Sequence, residues 1–296
     1  MISIIIVNYN TCQVTKNCVD SIFNCCKANF EVILVDNHST DNSKEAFCKD
    51  NRITYIYNQE NLGFGKANNI GAKQAKGDYL FFLNSDTILL NDAVKYFHEF
   101  MDFAPTDIAC CGCLLQGPNG KRCHSYGRFP TLWSDIKLRT LRGFLSKLHL
   151  YNSLLDLPEE RKLNPNSFDV DYLTGADLLV RKDIADKYGL FDEDFFMYYE
   201  ETEMQFRYHT KGLKSHIITT PQIIHLEGAS DKPNLSKKLE KTIRNINSGF
   251  LYFKKTHSYG YYLMYRIGLW FFSLPKLFAT RYPLSDRIKY YKTISR

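Results

Sequence analysis

The sequence lacks the features that mark several large classes of protein. No segment combines the length and the uninterrupted apolar character of a membrane span, and no period recurs that would indicate a repeat protein. Hydrophobic residues make up 44% of the chain and charged residues 24%, so the composition is neither that of a disordered chain nor that of a fibrous one. The 296 residues suffice for one large α/β domain and an appendage.

The cysteines do not have the pattern of a secreted, disulfide-bonded protein. Their number, nine, is odd, and none follows Cys123. The first residues, Met1 to Val7, are too short a hydrophobic run for a signal peptide and have no basic flank. We therefore expect reduced thiols and a cytoplasmic protein.

One cysteine cluster raises a second possibility. Cys110 and Cys113 have the spacing of half a structural zinc site, and Cys123 and His124 follow them. The segment 108–115 also has the composition of a buried strand, in which a free cysteine packs as a small hydrophobic side chain. The buried strand is the interpretation we favour.

The net charge of +6 is concentrated at the C-terminal end. Residues 232–296 contain fourteen Lys or Arg and two acidic residues, so the rest of the chain is slightly acidic. A basic helix is predicted over 237–255. The segment 259–280 is rich in aromatic and aliphatic residues. It is interrupted by Arg266, Pro275 and Lys276.

A helix with these properties suits the membrane–water interface. We predict that residues 231–296 form a helical, membrane-associating extension at the inner face of the cell membrane. Packing of the same helices on the domain is one alternative, and binding of nucleic acid by the basic residues is another. The interleaved apolar run favours lipid over nucleic acid.

Apolar runs of strand length alternate with helical segments along the first 230 residues. This alternation is typical of βαβ units, so the predicted fold class is α/β, with a mainly parallel central sheet flanked by helices. Residues 131–166 show little regular pattern, and we expect a mobile segment over a cleft there. The predicted strands lie near residues 2–7, 31–35, 53–57, 79–83, 108–115, 168–174, 177–180 and 215–219.

The most informative stretch runs from Gly77 to Asp86. Residues 79–83 form a continuous apolar run, as expected of a strand buried on both faces, and the run ends at Asn84-Ser85-Asp86. Ligands of open α/β sheets bind at the carboxyl ends of the strands. A carboxylate at that edge is placed to hold a hard cation that bridges phosphate oxygens. The simpler alternative is that Asp86 caps the following helix.

Asp36 also follows a predicted buried strand, so it is expected at the same sheet edge. There it can accept a hydrogen bond from a nucleotide base or ribose. The alternative is a turn stabilised by Asp36 and Asn37.

An acidic cluster begins a predicted helix after an aromatic run. The helix macrodipole favours acidic residues in the first turn, which accounts in part for Glu200, Glu201 and Glu203. A desolvated cleft next to so apolar a segment can also tune a carboxylate for general-base catalysis. His225 lies further along the chain, and a lone histidine is more often structural than a ligand.

Taken together, these motifs resemble the family 2 glycosyltransferases of the GT-A fold, and most closely their rhamnosyltransferase-like branch. Their order and spacing agree with that family from residue 1 to about residue 230. The matching segments are 3–10, 35–41, 61–69, 83–86, 174–176, 191–198, 200–203 and His225.

The resemblance implies a nucleotide-diphospho-sugar transferase domain over 1–230. Its nucleotide-sugar-binding half would be 1–115 and its acceptor-binding half 116–230. Asp36 would hold the nucleotide base. The other residues implied near the nucleotide sugar are Asn8, Asn61, Lys66, Asn84 and Ser85.

The resemblance also implies roles in catalysis. Asp86 would be the metal-binding member of the motif that replaces the family's Asp-x-Asp, and His225 would complete a site for Mn2+ or Mg2+. Glu201 stands where the family places its catalytic base. Gly175 and Ala176 would line the acceptor cleft.

Two residues depart from the family pattern. Glu201 replaces the usual aspartate, and its extra methylene displaces the carboxylate unless the backbone compensates, so Glu200 and Glu203 remain alternative bases. Asn84 lacks the charge of the first carboxylate of Asp-x-Asp, which would weaken the hold on the metal.

The predicted function is inverting, metal-dependent transfer of a hexose. The donor would be a nucleoside diphosphate sugar, dTDP-rhamnose or a UDP-hexose, and the acceptor a saccharide or lipid-linked saccharide in surface polysaccharide synthesis. A sugar-phosphate nucleotidyltransferase is one alternative, but Asn8-Tyr9-Asn10 is not the glycine-rich, basic loop that it would require. A non-catalytic, carbohydrate-binding protein of the GT-A fold is another. No nucleic acid partner is predicted.

Overall fold

The structure is a computed structural model that describes residues 1–140, 167–226, 235–275 and 283–295. The predicted mobile segment beyond residue 140 lies outside the described residues. The chain forms two units. The first contains residues 1–128, 167–196 and 200–226, and the second contains 129–140, 197–199, 235–275 and 283–295.

An eight-stranded mixed sheet forms the centre of the first unit. The strands in chain order are β1 (Ile2–Asn8), β2 (Phe30–Asp36), β3 (Thr54–Tyr57), β4 (Tyr79–Asn84), β5 (Thr87–Leu89), β6 (Ile108–Cys113), β7 (Tyr126–Gly127), β8 (Ser167–Val170), β9 (Tyr172–Leu173), β10 (Asp177–Arg181), β11 (Lys214–Ile218) and β12 (Ile223–His225). The main sheet has the order β3-β2-β1-β4-β10-β6-β11-β8. Only β10 and β8 run against the other six strands, which confirms a mainly parallel sheet.

Helices cover both faces of this sheet. Those of the first unit are α1 (Cys12–Cys25), α2 (Ser43–Phe47), α3 (Phe64–Ala72), α4 (Ala93–Phe103), α6 (Lys182–Tyr188) and α7 (Glu200–His209). Alternate residues of β1 point to opposite faces: Ile4 and Ile6 pack with α1 and α4, whereas Ile5 packs with α3. A strand covered in this way is apolar at successive positions, which explains the continuous apolar runs in the sequence.

The cysteines of β6 are core residues. Cys110 belongs to one core cluster and Cys113 to the other, so their side chains lie on opposite faces of the sheet. Two such side chains cannot bind the same tetrahedral zinc ion. All nine cysteines are free thiols, and no group of three or more His, Cys, Asp or Glu within the described ranges is arranged to hold a metal.

A second, two-stranded sheet pairs β5 with β12 in antiparallel fashion. Its register places Thr87 opposite His225, so His225 comes next to the residue that follows Asp86. Each strand has three residues, which is too short to show an alternating pattern. The sequence analysis consequently predicted neither.

The second unit is helical. Its helices are α5 (Leu132–Thr140), α8 (Leu235–Thr256), α9 (Tyr259–Ser273) and α10 (Leu284–Ser295). The buried carboxylate of Asp135 accepts hydrogen bonds from Tyr199 at 2.7 Å, from Tyr265 at 2.5 Å and from Arg139. Within the described residues, no helix is both long and apolar enough to cross a bilayer.

Candidate active site

Parallel pairing brings three strand ends to one edge of the main sheet. Asn8 of β1 lies opposite Asp36 of β2, and Val7 lies opposite Asn84 of β4. Asn8, Asp36 and Asn84 therefore share the carboxyl edge, where α/β proteins of this kind bind their ligands.

Asp36 and Asn8 are buried and organise this edge. The Oδ1 atom of Asp36 accepts a hydrogen bond from the Ser39 N–H at 2.8 Å, and its Oδ2 atom accepts one from the Tyr55 hydroxyl at 2.9 Å. Asn8 donates to Ser39 Oγ at 3.0 Å and accepts from Thr15 at 2.8 Å. These bonds fix the loop after β2.

Asn61 lies in the loop that leads into α3. Its side-chain oxygen accepts hydrogen bonds from Asn37 at 2.9 Å and from the Gly63 N–H at 3.0 Å. Gly63 has a φ of 85°, and a Cβ at this position would collide with the carbonyl of Phe196. The loop therefore requires glycine at this position.

Lys66, in the first turns of α3, keeps its side chain half exposed. Its ammonium lies 3.8 Å from the carboxylate of Glu193. A flexible cation of this kind is available to an anionic ligand at low cost, because an exposed ion pair contributes little to stability.

Asp86, Asn84 and His225 converge at the end of β4. The Oδ1 atom of Asp86 lies 3.2 Å from Nε2 of His225, and Nδ2 of Asn84 lies 3.4 Å from the same nitrogen. The side chains of Asp86 and His225 are 16% and 13% exposed, so both reach solvent from a mostly buried position. Ser85 extends the group, with its hydroxyl 3.5 Å from that of Thr11.

This donor set fits a divalent cation. Two octahedral ligand atoms at right angles, each about 2.1 Å from the ion, are about 3 Å apart, which is close to the observed separation of Asp86 and His225. Carboxylate and water oxygens suit Mg2+ and Mn2+, whereas imidazole is a ligand typical of transition metals. If these two side chains held the ion, it would also need oxygen ligands from phosphate or water.

Gly175 and Ala176 connect the group formed by Asn84, Asp86 and His225 to the acidic cluster of α7. The Ala176 carbonyl accepts a hydrogen bond from the Asn84 N–H at 3.0 Å. A Cβ added at Gly175 would lie 3.2 Å from the ring of Phe64 and 3.9 Å from the Cβ atom of Glu201. A larger residue at Gly175 would therefore narrow the space in front of Glu201.

The three acidic residues of α7 have different surroundings. Glu200 is buried, its Oε2 atom has no hydrogen-bond partner among the described residues, and burial together with the charge of Glu201 raises its pKa well above the usual value. Glu201 is half-buried. Burial raises its pKa, and the backbone N–H groups of Glu201, Thr202 and Gly175 act in the opposite direction.

Glu203 is engaged elsewhere on α7. Its carboxylate lies 3.1 Å from the guanidinium of Arg207, one helical turn away. The same guanidinium donates to the carbonyl of Leu190 at 2.7 Å, so the pair ties α7 to the loop before it.

Asp177, the first residue of β10, is a buried carboxylate that the sequence analysis did not select. Its Oδ2 atom accepts a hydrogen bond from the Cys113 N–H at 2.6 Å. Burial raises its pKa to about 7, while the Cys113 N–H and thiol and then His225 lower it. The only signal in the sequence was an acidic residue at the start of an otherwise apolar strand.

A family model described as "Glycosyl transferase family 2" matches residues 3–189, which is more than half of the chain. The chain therefore belongs to glycosyltransferase family 2. Its similarity to curated relatives covers shorter segments. Glycosyltransferase GlyG of Streptococcus pneumoniae serotype 4 is 33% identical over 112 residues, which are 36% of this chain and 37% of GlyG.

A second relative is the putative teichuronic acid biosynthesis glycosyltransferase TuaG of Bacillus subtilis (strain 168). It is 31% identical over 152 residues, which are 49% of this chain and 60% of TuaG. The matches thus span less than two thirds of the length of either relative.

Among solved structures, the crystal structure of GalNAc-T7 with UDP, GalNAc and Mn2+ superposes with a TM-score of 0.62 at 17% sequence identity. The match covers 100% of this chain and 55% of that chain. At this level of identity the match concerns the fold alone, and the fold is GT-A.

Proposed function

We propose that this member of glycosyltransferase family 2 is an inverting, metal-dependent hexosyltransferase that uses a nucleoside diphosphate sugar. The proposal is carried by one observation, the convergence of Asp86 and His225 at the carboxyl end of β4. The acidic pair Glu200 and Glu201 supports it, because Gly175 and Ala176 link that pair to the same sheet edge. A donor with rhamnose, such as dTDP-rhamnose, or a UDP-hexose is the proposed substrate.

The donor side of the site would use the residues of the sheet edge. Asp86 and His225 would hold Mn2+ or Mg2+, and a bound cation stabilises the negative charge that develops on the departing diphosphate. Lys66 would contribute a second positive charge near the nucleotide. Asp36 and Asn61 would shape the nucleotide side, because their hydrogen bonds fix the two loops that border it.

Glu201 would act as the general base. It is half-buried beside Gly175, and the raised pKa of its carboxyl matches the requirement for a base that accepts a proton from an acceptor hydroxyl. That hydroxyl would attack from the side opposite the departing diphosphate, so a single displacement would invert the anomeric centre. Glu203 is less suited, because its carboxylate is paired with Arg207.

The acceptor would be a saccharide or a lipid-linked saccharide in surface polysaccharide synthesis. The similarity to TuaG, whose name assigns it to teichuronic acid biosynthesis, supports a polymer of this class. A lipid-linked acceptor also gives the basic tail a role, because anionic membranes attract clustered Lys and Arg.

We further propose that α9 holds the protein at the inner face of the cell membrane as a peripheral, cytoplasmic enzyme. One face of α9 consists of large apolar side chains that are between 41% and 59% exposed. They recur at helical spacing and form what we call the α9 stripe. Its members are Leu263, Met264, Ile267, Trp270 and Phe271. An apolar stripe on a helix within a basic segment is typical of a helix that lies in the plane of the interface.

The test is donor turnover by the purified chain. The protein would be incubated with a panel of nucleotide sugars, with Mn2+, with Mg2+ and with a chelator, beside the variants Asp86→Ala and Glu201→Gln. Glu99→Gln is the matched control, since Glu99 is an exposed residue of α4 that forms an ion pair with Lys95. Metal-dependent release of one nucleoside diphosphate that Asp86→Ala abolishes is the expected result. Binding of donor without turnover of any acceptor would instead indicate a carbohydrate-binding protein.

A further inference from the structure

The second unit contains a groove between α8 and α10 to which the proposed catalytic roles assign no ligand. Its volume is about 510 Å³, which is within the range of pockets that bind small molecules. The residues that line it recur every three or four positions along each helix, so each helix contributes one face. The groove therefore lies within the second unit and is formed by two regular helix faces.

Part of the groove wall is apolar. Ile243 and Phe250 of α8 and Ile288 of α10 line it. The side chain of Ile288 is 42% exposed, so it is open to solvent. A hydrocarbon chain laid along this wall would remove apolar surface from water, which is favourable.

The rest of the lining is polar, and two of its side chains are cationic. Lys289 and Lys292 are exposed, and neither forms an ion pair with another residue that the structure describes. Asn247 and Ser285 add an amide and a hydroxyl that can donate hydrogen bonds. The described lining residues include no acid, so the charge of the two lysines is not compensated inside the groove.

Helix α10 also contacts the α9 stripe. The ring centroid of Trp270, a member of the stripe, lies 6.1 Å from that of Tyr291, which directly precedes Lys292. The helix that carries the two lysines thus packs against the helix that we propose lies in the membrane interface. Phospholipids are the amphiphiles that such an interface supplies.

We propose that this groove binds one anionic phospholipid, with the headgroup phosphate between Lys289 and Lys292 and an acyl chain along the apolar wall. The ligand needs both a negative charge and a hydrocarbon chain, because the lining combines two cations with apolar side chains. A free phosphate or a nucleic acid offers the charge alone. The inference rests on the proposed membrane association of the second unit, and it adds a site for a single lipid molecule to a stripe that binds the membrane surface.

A soluble lipid tests the groove without a membrane. Dihexanoylphosphatidylglycerol, kept below its micellar concentration, would be titrated into the purified chain in a calorimeter, beside dihexanoylphosphatidylcholine and inorganic phosphate. We expect saturable binding of one molecule of the anionic lipid, and binding of the other two compounds that is weaker by about tenfold or more. Equal affinity for phosphate and for the anionic lipid would overturn the role of the apolar wall. No saturable binding of the anionic lipid would overturn the site.

Substitution of both lysines tests the headgroup position. The double variant Lys289→Gln, Lys292→Gln should bind the anionic lipid about 30-fold more weakly, since each lysine near an anionic lipid contributes about fivefold in affinity. The double variant Lys137→Gln, Lys254→Gln is the matched control, because it removes the same charge from exposed positions of the second unit outside the groove. The control should keep the affinity of the unsubstituted protein. Equal weakening in both double variants would show that the charge of the second unit attracts lipid at no particular place, which would contradict the proposal.

Ile288→Gln tests the apolar wall. It should weaken binding of the anionic lipid by about three- to tenfold, because the acyl chain loses an apolar contact. Leu284→Gln is the control, as Leu284 is a 61% exposed residue of the same helix outside the groove. If Ile288→Gln binds the lipid as tightly as Leu284→Gln does, the proposed lipid site is wrong.

Failure of the groove can be told apart from failure of the proposed membrane association. The double variant Ile267→Glu, Phe271→Glu changes the α9 stripe and leaves the groove lining intact, so it should keep its affinity for the soluble lipid. Vesicle flotation measures the stripe, and the soluble lipid measures the groove. Loss of soluble-lipid binding in the stripe variant, with the lysine variant unchanged, would move the lipid from the groove to the stripe and overturn the inference.

Discussion

The carboxylate of Asp86 and the imidazole of His225 lie 3.2 Å apart because two three-residue strands pair. Asp86 precedes β5, His225 ends β12, and the antiparallel register sets Thr87 opposite His225. A further bond from the Leu226 N–H to the Asp86 carbonyl, at 2.9 Å, closes the ladder. Backbone hydrogen bonds therefore hold the two residues of the proposed cation site next to each other.

The proposed base is tested by two substitutions of Glu201. Glu201→Gln should lower kcat by about 10²- to 10⁴-fold, because an amide cannot accept the proton. Glu201→Asp, which restores the residue usual in the family, should retain more activity than Glu201→Gln. Steady-state kinetics with the donor that the turnover panel selects would give both values. If Glu200→Gln lowered kcat by this factor and Glu201→Gln left kcat unchanged, Glu200 would be the base instead.

The pH dependence of kcat/KM should report the environment of the base. Burial raises the pKa of Glu201, and a base works only when it is ionised. Activity should therefore fall as the pH is lowered through a value above the ordinary range of a glutamate, about 4.3. Profiles would be measured at saturating cation for the unsubstituted protein and for Glu99→Gln, which should coincide. A fall in kcat/KM centred at a pH of about 4.3 or below would contradict the assignment of Glu201 as the base.

Glu200 should destabilise the fold as the pH rises. Its pKa is higher in the folded state than in the unfolded chain, so the folded state binds the extra proton between these two values. Stability is therefore highest below the unfolded pKa and declines as the pH rises toward the folded one. Glu200→Gln has no such penalty, and its melting temperature relative to the unsubstituted protein should increase with pH. A difference that is constant from pH 4 to pH 9 would refute this.

The loop before α3 should not tolerate a side chain at Gly63. An alanine there would combine an unfavourable φ with a collision against the Phe196 carbonyl, for a loss of about 3 kcal/mol or more in the free energy of unfolding. Gly120 is the control, since its φ of 72° is also positive but an added Cβ would meet nothing within 4 Å. Gly120→Ala should lower the free energy of unfolding by only about 1 to 2 kcal/mol. Urea unfolding of both variants gives the comparison.

The α9 stripe should determine binding to anionic membranes. Replacing both Ile267 and Phe271 with Glu should weaken binding to vesicles containing phosphatidylglycerol by about tenfold or more, because each large apolar side chain contributes more than about 1 kcal/mol when buried. Phe103→Glu is the control, as Phe103 is a 90% exposed aromatic residue of α4. Vesicle flotation of the three proteins would measure the effect. Unchanged flotation of the double variant would argue that the tail packs on protein instead.

Much of the fold followed from local pattern. Strands covered on both faces are apolar at successive positions, so β1, β2 and β4 could be predicted within one or two residues, and so could the polar residues that follow them. The strands β5 and β12 were not predicted, because three residues are too few to show a period.

The sequence by itself therefore determined the fold class, the family and the candidate residues at the sheet edge. Tertiary structure alone decided which of them meet. It joined His225 to Asp86 through a pairing of distant strands, engaged Glu203 with Arg207, and buried the carboxyl of Asp177 at the start of β10. Chemical identity and local hydrophobicity are properties of single positions and their neighbours, whereas distance and burial depend on which remote segments pack together.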